Sequence, residues 1–125
     1  MKVLVIEDDE RLLELYQTFQ EMLNSDELIL ELAKNGTEAL ESLKKTLPDV
    51  VLIDLFLPDM NGMEILKYLD KVGQLRQTKA YVMTNLSDDH IEKEALKLGA
   101  FGYVIKSNIS FQTMKTLLET GSLTS

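Results

Sequence analysis

Cysteine is absent from this chain of 125 residues, and histidine occurs once, as His90. Without thiols the chain can form neither a disulfide framework nor a thiolate metal site. His90 has no cysteine or second histidine with which to share a metal, so we expect it to be solvated or to face a partner. The missing thiols also fit a reducing compartment, and we expect the protein to be cytoplasmic.

Basic side chains are in the minority, because 13 Lys and Arg residues stand against 21 Asp and Glu residues and leave a net charge of −8. Proteins neutralise nucleic-acid phosphates with Lys and Arg, so we expect no direct contact with nucleic acid.

Long apolar runs are missing too, since none approaches the roughly 20 residues that cross a membrane. Met1-Lys2 leads into a strand pattern rather than a signal peptide. We therefore expect no association with a membrane.

Five short apolar runs alternate with five segments of helical periodicity. The runs cover residues 3–6, 28–32, 50–53, 80–83 and 102–105, and Glu31 within the second favours an edge position for it. Continuous Val, Ile and Leu content is typical of parallel strands covered on both faces. Repeated strand–helix units with right-handed crossovers predict an α/β fold, a flavodoxin-like doubly wound sheet of five parallel strands in the order 2-1-3-4-5 with five helices. The length fits one domain, predicted at residues 1–120, with a short flexible tail at 121–125.

Start and stop residues bound the predicted helices. The second helix follows Asn35-Gly36 and is stopped by Pro48, and the third ends at Gly73. The fourth is predicted to begin with Ser87 as its N-cap, and the fifth near Ser110. The buried stripes of the first three helices are predicted to contain Leu12, Tyr16, Phe19 and Leu23, then Ala39, Leu40, Leu43 and Leu47, then Ile65, Leu66, Leu69 and Val72.

Polar side chains stand directly after four of the apolar runs. Glu7 and Asp8 follow the first run, Asp54 closes the third, Thr84 ends the fourth and Lys106 ends the fifth. The carboxyl ends of parallel strands form the edge at which ligands bind in an open α/β sheet. Carboxylates, a hydroxyl and an ammonium are the groups needed to hold a divalent cation and to carry a phosphoryl group.

Each of these residues also has a purely structural interpretation. Asp54 alone could cap the loop after its strand, Lys106 could be a solvated lysine at a strand end, and Thr84 could bond to the local backbone. Asp9 and Glu10 lie where the first helix begins, and we interpret them as charges at a helix N-terminus. The whole set in this order, rather than any one residue, indicates a functional site.

The same residues, in this order and at this spacing, resemble the site of the receiver domain in bacterial two-component response regulators. Residues 54–62, with the sequence DLFLPDMNG, are similar to that family's loop around its phosphorylated aspartate. The resemblance implies that Asp54 is the phosphoacceptor and that the site needs Mg²⁺ or Mn²⁺. The implied cation ligands are the carboxylates of Glu7, Asp8 and Asp54 and the backbone carbonyl of Phe56.

The resemblance also implies a switch rather than a turnover enzyme. Thr84 and Lys106 would contact the phosphoryl group, and Thr84 with Tyr103 would pass the change to the surface of the fourth helix, fifth strand and fifth helix. The implied partners are a sensor histidine kinase or histidine phosphotransfer protein, a downstream protein or an output domain, and a second copy of the chain that binds through that surface. Whether the chain stands alone or is part of a larger regulator stays open.

Three other classes of function compete with this interpretation. A phosphatase of the haloacid-dehalogenase type uses an Asp nucleophile with a second acid two residues later, where this chain has Phe56. A flavin or nucleotide binder on the same fold needs a Gly-, Ser- or Thr-rich phosphate loop after the first strand, where residues 7–10 are all acidic. A pseudo-receiver that acts only by protein contact would not need the complete set of pocket groups.

Some positions depart from the commonest receiver sequence. Ser107 stands after Lys106 where the family usually has a proline in a cis peptide, and we expect the Lys106–Ser107 peptide to be trans. Phe56, Asn85 and Leu86 border the entrance of the pocket, where smaller or more polar residues are usual. These departures concern the kinetics of the site and remove none of its groups.

Overall fold

The computed structural model describes residues 1–85 and 87–123. Leu86, Thr124 and Ser125, which the sequence analysis placed at the pocket entrance and in the tail, lie outside these ranges. The elements run in the order β1 (Lys2–Ile6), α1 (Glu10–Leu23), β2 (Ile29–Ala33), α2 (Gly36–Lys45), β3 (Val50–Asp54), α3 (Gly62–Lys71), β4 (Lys79–Thr84), α4 (Asp89–Lys97), β5 (Gly102–Ile105) and α5 (Phe111–Thr120). Short 3₁₀ helices span Gln74–Arg76 and Lys106–Asn108. None of the helices within the described ranges is long and apolar enough to cross a membrane.

The strands form one parallel sheet in the order β2-β1-β3-β4-β5, which confirms the predicted fold class. Alternate side chains of the strands point to opposite faces and build two buried clusters. One cluster joins the sheet to α2, α3 and α4, and the other joins it to α1 and α5. Because both faces are covered, the central strands needed the continuous apolar runs that the sequence shows.

The second strand lies at the edge of the sheet, as Glu31 indicated, but it runs one residue later than predicted. Leu28 is fully buried ahead of the strand, while Ile29 is exposed and donates its N–H to Met1 O at 2.9 Å, which starts the pairing with β1. Glu31 forms an ion pair with Lys2 of β1, with 3.1 Å between Oε2 and Nζ. A charged residue is therefore tolerated in this strand because its side chain pairs at the rim of the sheet.

Several predicted helix ends are wrong by one to three residues. Asp88, not Ser87, is the N-cap of α4, because its carboxylate reaches the N–H groups of His90 and Ile91 at 2.9 and 3.2 Å. Leu47 and Val72 were predicted to be buried but are exposed. The reason is that α2 ends at Lys45 and α3 at Lys71, so both residues lie beyond their helices. Gly73 adopts the left-handed conformation after α3, with φ of 75°, as its predicted role requires.

The segment after α5 contacts the start of β4. Lys79 Nζ donates to Gly121 O at 2.8 Å and to Ser122 Oγ at 2.9 Å. The Leu123 N–H donates to the Tyr81 hydroxyl at 3.1 Å. Residues 121–123, assigned to the tail in the sequence analysis, are thus bonded to the sheet, and the boundary at residue 120 stays a prediction.

The outer edge of β2 is covered by the side chain of Gln20 from α1. Its Nε2 donates to Leu28 O at 2.6 Å, and its Oε1 accepts the Leu30 N–H at 2.7 Å. The Ile29 N–H between them points the other way, toward β1. One amide side chain therefore replaces a neighbouring strand at two edge groups that would otherwise be open to another chain.

We predict that Gln20→Ala lowers the free energy of unfolding by about 1–3 kcal/mol, because two hydrogen bonds of roughly 0.5–1.5 kcal/mol each are lost. Urea unfolding followed by circular dichroism measures the change. Gln17→Ala, at an exposed position of the same helix, is the matched control and should shift the value by less than about 0.5 kcal/mol. Equal effects of the two variants would show that the edge contact contributes nothing.

Candidate functional site

The polar residues predicted from the strand ends meet at the carboxyl edge of the sheet. Glu7 follows β1, Asp54 ends β3, Thr84 ends β4 and Lys106 follows β5. They line one cleft of about 460 Å³ together with Asp8, Asp9, Phe56 and Asn85. The parallel pairing explains the meeting, because it brings the ends of β1, β3, β4 and β5 to the same edge.

Three carboxylates form the acidic part of the cleft. Glu7, Asp8 and Asp54 each place one oxygen within 4.8 Å of the others. Glu7 and Asp54 are only 1% and 3% exposed, whereas Asp8 is open to solvent. A set of hard oxygen donors with one side facing solvent suits Mg²⁺, Mn²⁺ or Ca²⁺ and not the softer metals that prefer thiolate or imidazole.

Lys106 bridges the two buried carboxylates. Its Nζ lies 2.8 Å from Glu7 Oε1 and 2.9 Å from Asp54 Oδ2. The other Glu7 oxygen accepts the backbone N–H groups of Asp8 and Asp9 at 3.0 and 3.1 Å. One ammonium faces the three carboxylates of Glu7, Asp8 and Asp54, so this cluster keeps an excess of two negative charges that a divalent cation would balance.

Burial and neighbouring charges together change the pKa values of Asp54 and Lys106. Burial raises the pKa of Asp54 to about 6, and the charge of Glu7 adds to the rise, while hydrogen bonds from Lys106 and the Phe56 N–H oppose it. Burial works against the charge of Lys106, but its bonds to Glu7 and Asp54 outweigh burial and raise the Lys106 pKa. Asp54 is therefore the group of this pair whose charge the fold disfavours.

The loop after β3 forms one wall of the cleft. The Phe56 N–H donates to Asp54 Oδ1 at 3.1 Å, so one carboxylate oxygen of Asp54 is held by this hydrogen bond and the other by the ion pair with Lys106. Phe56 is 67% exposed and lines the cleft, as does the exposed Asn85. The Lys106–Ser107 peptide is trans, as expected, and so is every other peptide in the described part of the chain.

Thr84 and Tyr103 lie on neighbouring strands but in different surroundings. Thr84 is 4% exposed and lines the cleft. Tyr103 pairs in register with Val82, two residues before Thr84, so the Thr84 and Tyr103 side chains point to the same face of the sheet. The Tyr103 ring is half-buried against the cluster that includes α4, and it is not part of the cleft wall.

Every residue of the cleft wall is among those singled out from the sequence, although Asp9 was predicted to have a structural role only. Asp9 is the N-cap of α1 and accepts the Arg11 N–H at 2.9 Å, which agrees with that interpretation. Tyr16 was predicted only as a core residue, yet its buried hydroxyl contacts Met83 Sδ at 3.4 Å, and burial followed by the charges of Glu7 and Asp54 raises its pKa. Helical periodicity identified Tyr16 as buried but not as a neighbour of the acidic cluster.

We predict that Asp54→Asn stabilises the cation-free protein, increasingly so as pH rises from about 4 to 7. The folded protein raises the Asp54 pKa from 3.8 to about 6, so protonation stabilises the fold fully below 3.8, and this contribution is lost as pH rises through about 6. At pH 7 the wild type should be roughly 1–3 kcal/mol less stable than the variant, since one pKa unit corresponds to about 1.4 kcal/mol.

Urea unfolding in chelator at several pH values tests this expectation. Asp70→Asn, at an exposed position of α3, is the control and should differ from the wild type by an amount that does not change with pH. If the difference in free energy of unfolding between Asp54→Asn and the wild type is also independent of pH, the charge of Asp54 does not destabilise the folded protein.

Comparison with known proteins agrees with this geometry. The model of the response regulator receiver domain matches residues 3–119. The probable C4-dicarboxylate response regulator DctR of Priestia megaterium is 32% identical over 117 residues, which cover 94% of this chain and 50% of that protein. The transcriptional regulatory protein YdfI of Bacillus subtilis (strain 168) is 33% identical over 94 residues, 73% of this chain and 43% of that protein. The chain thus spans half or less of the length of these relatives.

A solved structure gives the same assignment. The BeF3-activated N-terminal receiver domain of Klebsiella pneumoniae RstA superposes with a TM-score of 0.75 at 26% identity, covering 94% of this chain and 95% of that one. The five-stranded parallel sheet, the acidic cleft at its carboxyl edge and the family match over nearly the whole chain agree. The chain belongs to the response regulator receiver domain family of two-component signalling.

Proposed function

We propose that the chain is a phosphorylation-controlled signalling switch that accepts a phosphoryl group on Asp54 from a histidine kinase or histidine phosphotransfer protein. One observation carries the proposal: the buried Asp54 carboxylate lies 2.9 Å from Lys106 Nζ and within 4.8 Å of the Glu7 and Asp8 oxygens. A carboxylate, a fixed ammonium and a cation-binding group together supply the positioning and charge that phosphoryl transfer needs.

The transfer moves one phosphoryl group and breaks one bond. An oxygen of Asp54 would attack the phosphorus while the bond from phosphorus to the donor's histidine nitrogen breaks, and the nitrogen keeps the electron pair. Lys106 lies where it can exchange its contact with Asp54 Oδ2 for one with a phosphoryl oxygen. The Thr84 hydroxyl, at the end of β4 in the same cleft, is the second group proposed to contact the phosphoryl group.

The donor set supports a Mg²⁺ or Mn²⁺ site. Glu7, Asp8 and Asp54 would hold the cation together with the Phe56 carbonyl, and the exposure of Asp8 leaves room for the waters that Mg²⁺ retains. When bound, the cation supplies positive charge that balances the carboxylates and the phosphoryl oxygens. The chain's own excess of negative charge in the cleft is the reason it would bind there.

The same geometry favours a switch over a hydrolase. A turnover phosphatase with an Asp nucleophile would need a second acid to protonate the leaving group and activate water. Two residues after Asp54 the side chain is the exposed ring of Phe56, which cannot transfer a proton. We therefore propose that the chain takes part in its own phosphorylation and dephosphorylation but does not turn over a separate substrate.

The output is proposed to pass through the surface of α4, β5 and α5. Thr84 and Tyr103 point to the same face of the sheet, so a move of Thr84 toward a phosphoryl oxygen would change the space open to the Tyr103 ring. A ligand shifts such an equilibrium only through contacts that differ between the two states, and Thr84 would supply that difference. A downstream protein, an output domain or a second copy of the chain would read this surface.

We predict that acetyl phosphate adds one phosphoryl group to the wild type in the presence of Mg²⁺ and none to Asp54→Asn. Lys106→Gln should slow the reaction at least tenfold, equivalent to about 1.4 kcal/mol of barrier. Intact-mass spectrometry over time measures both effects, with Asp88→Asn at the start of α4 as a control that keeps full uptake. Equal uptake by Asp54→Asn would exclude Asp54 as the acceptor.

Phosphorylation is also expected to change amide hydrogen exchange at residues 87–98 and 103–114, beyond the Asp54 cleft. Thr84→Ala should keep phosphorylation and lose most of this distant change, because the proposed contact between Thr84 and the phosphoryl group is removed. Changes confined to the cleft of the phosphorylated wild type would argue against output through α4, β5 and α5.

A further inference from the structure

The loop that follows Asp54 is tied to a helix outside the cleft. Residues 55–61 connect β3 to α3, and Asp59 in this loop accepts three hydrogen bonds from the first turn of α2. Asp59 Oδ1 accepts the Gly36 N–H at 2.8 Å, and Oδ2 accepts the Thr37 N–H at 2.9 Å and the Thr37 hydroxyl at 2.7 Å. The first N–H groups of a helix have no partner inside it, and a carboxylate there also meets the positive end of the helix dipole.

A second contact joins the loop to the same turn. Met60 lies directly over Gly36, so closely that a Cβ atom at position 36 would sit 2.3 Å from Met60 Sδ. Gly36 is buried and opens α2 with Asn35 as the N-cap. The polar contact of Asp59 and the close packing of Met60 therefore fix the loop against α2 from two neighbouring positions.

The tied part of the loop is bonded onward to Asp54. The Leu57 N–H donates to Met60 O at 3.2 Å, and Phe56 forms a bridge with Asn61. Phe56 in turn donates its N–H to Asp54 Oδ1 at 3.1 Å. A continuous path of side-chain and backbone contacts thus runs from the first turn of α2 to the carboxylate in the cleft.

We propose that Asp59 is a positioning residue of the site, holding the backbone of Phe56 beside Asp54 through its three bonds to α2. The inference rests on the proposed cation and phosphoryl site, and it assigns a role to an acid that does not line the cleft. A backbone carbonyl on a loop binds a cation well only if the loop is ordered beforehand, and the loss of such supporting contacts commonly weakens metal binding 10- to 100-fold.

Asp59→Ala is the principal test, with Mg²⁺ as the probe. The apparent dissociation constant, from melting midpoints across a Mg²⁺ titration, should rise about tenfold. Phosphorylation by acetyl phosphate should need correspondingly more Mg²⁺ but reach a rate near that of the wild type at saturation. The dissociation constant of Asp59→Asn, which keeps one acceptor oxygen, should lie between those of the wild type and Asp59→Ala. This variant provides a second measurement if Asp59→Ala is poorly folded.

Two further variants separate the tie from the stability of α2. Gly36→Ala places a Cβ atom in α2 too close to Met60 and should displace the Met60 side chain. This variant should therefore weaken Mg²⁺ binding, although the sequence of the loop is unchanged. Asn35→Ala removes the N-cap bond to the Glu38 N–H, 2.8 Å long, and leaves the bonds of Asp59 intact. Asn35→Ala should therefore destabilise α2 and leave the affinity for Mg²⁺ unchanged.

Amide exchange in the cation-free protein gives a readout that does not depend on activity. Exchange at Leu57 and Gly62, whose N–H groups are bonded within the loop and to Leu55 O, should accelerate in Asp59→Ala and not in Asn35→Ala. An unchanged Mg²⁺ affinity in Asp59→Ala, or an equal loss in Asn35→Ala, would overturn the positioning role. A wild type whose midpoint does not respond to Mg²⁺ would instead overturn the proposed cation site.

Discussion

The ion pairs of Lys106 with Glu7 and Asp54 are the interaction on which the site depends. Two nearly inaccessible carboxylates close together repel each other, and burial disfavours the charge of Asp54. A single ammonium within 2.9 Å of both offsets part of this repulsion without abolishing it. The fold thus holds a cluster that is stable enough to form yet remains short of positive charge, which is the condition that the proposed binding of a cation and then of a phosphoryl group requires.

The sheet makes this cluster possible at positions far apart in the chain. Glu7, Asp54 and Lys106 come from three different strand ends, and only parallel pairing brings those ends together. Burial of the apolar residues in the strands offsets the free-energy cost of this charged edge, because two buried clusters on opposite faces stabilise the sheet. In β1, β3, β4 and β5, the residues that stabilise the fold therefore lie in the body of the strand, and the residues of the cleft lie at or just after its carboxyl end.

Two polar side chains outside the core form hydrogen bonds with backbone groups at the edge of the sheet and at the start of a helix. Gln20 covers two backbone groups at the edge of the sheet, and Asp59 covers two at the start of α2 while tying down the loop that borders the cleft. Both side chains meet backbone groups that secondary structure leaves without partners. Both belong to residue types that on a surface usually appear only as solvated polar groups.

The sequence alone predicts the strands, the fold class and the residues of the cleft, because apolar runs and the polar groups that end them are local patterns. It failed at Ser87 and Asp88, adjacent residues that can both cap a helix, where only the geometry of the turn selects one. It gave no sign of the Asp59 tie or the Gln20 cover, whose partners lie 22 and 23 residues and 8 and 10 residues away. Such contacts form only when whole helices, strands and loops pack together, so no local sequence pattern predicts them.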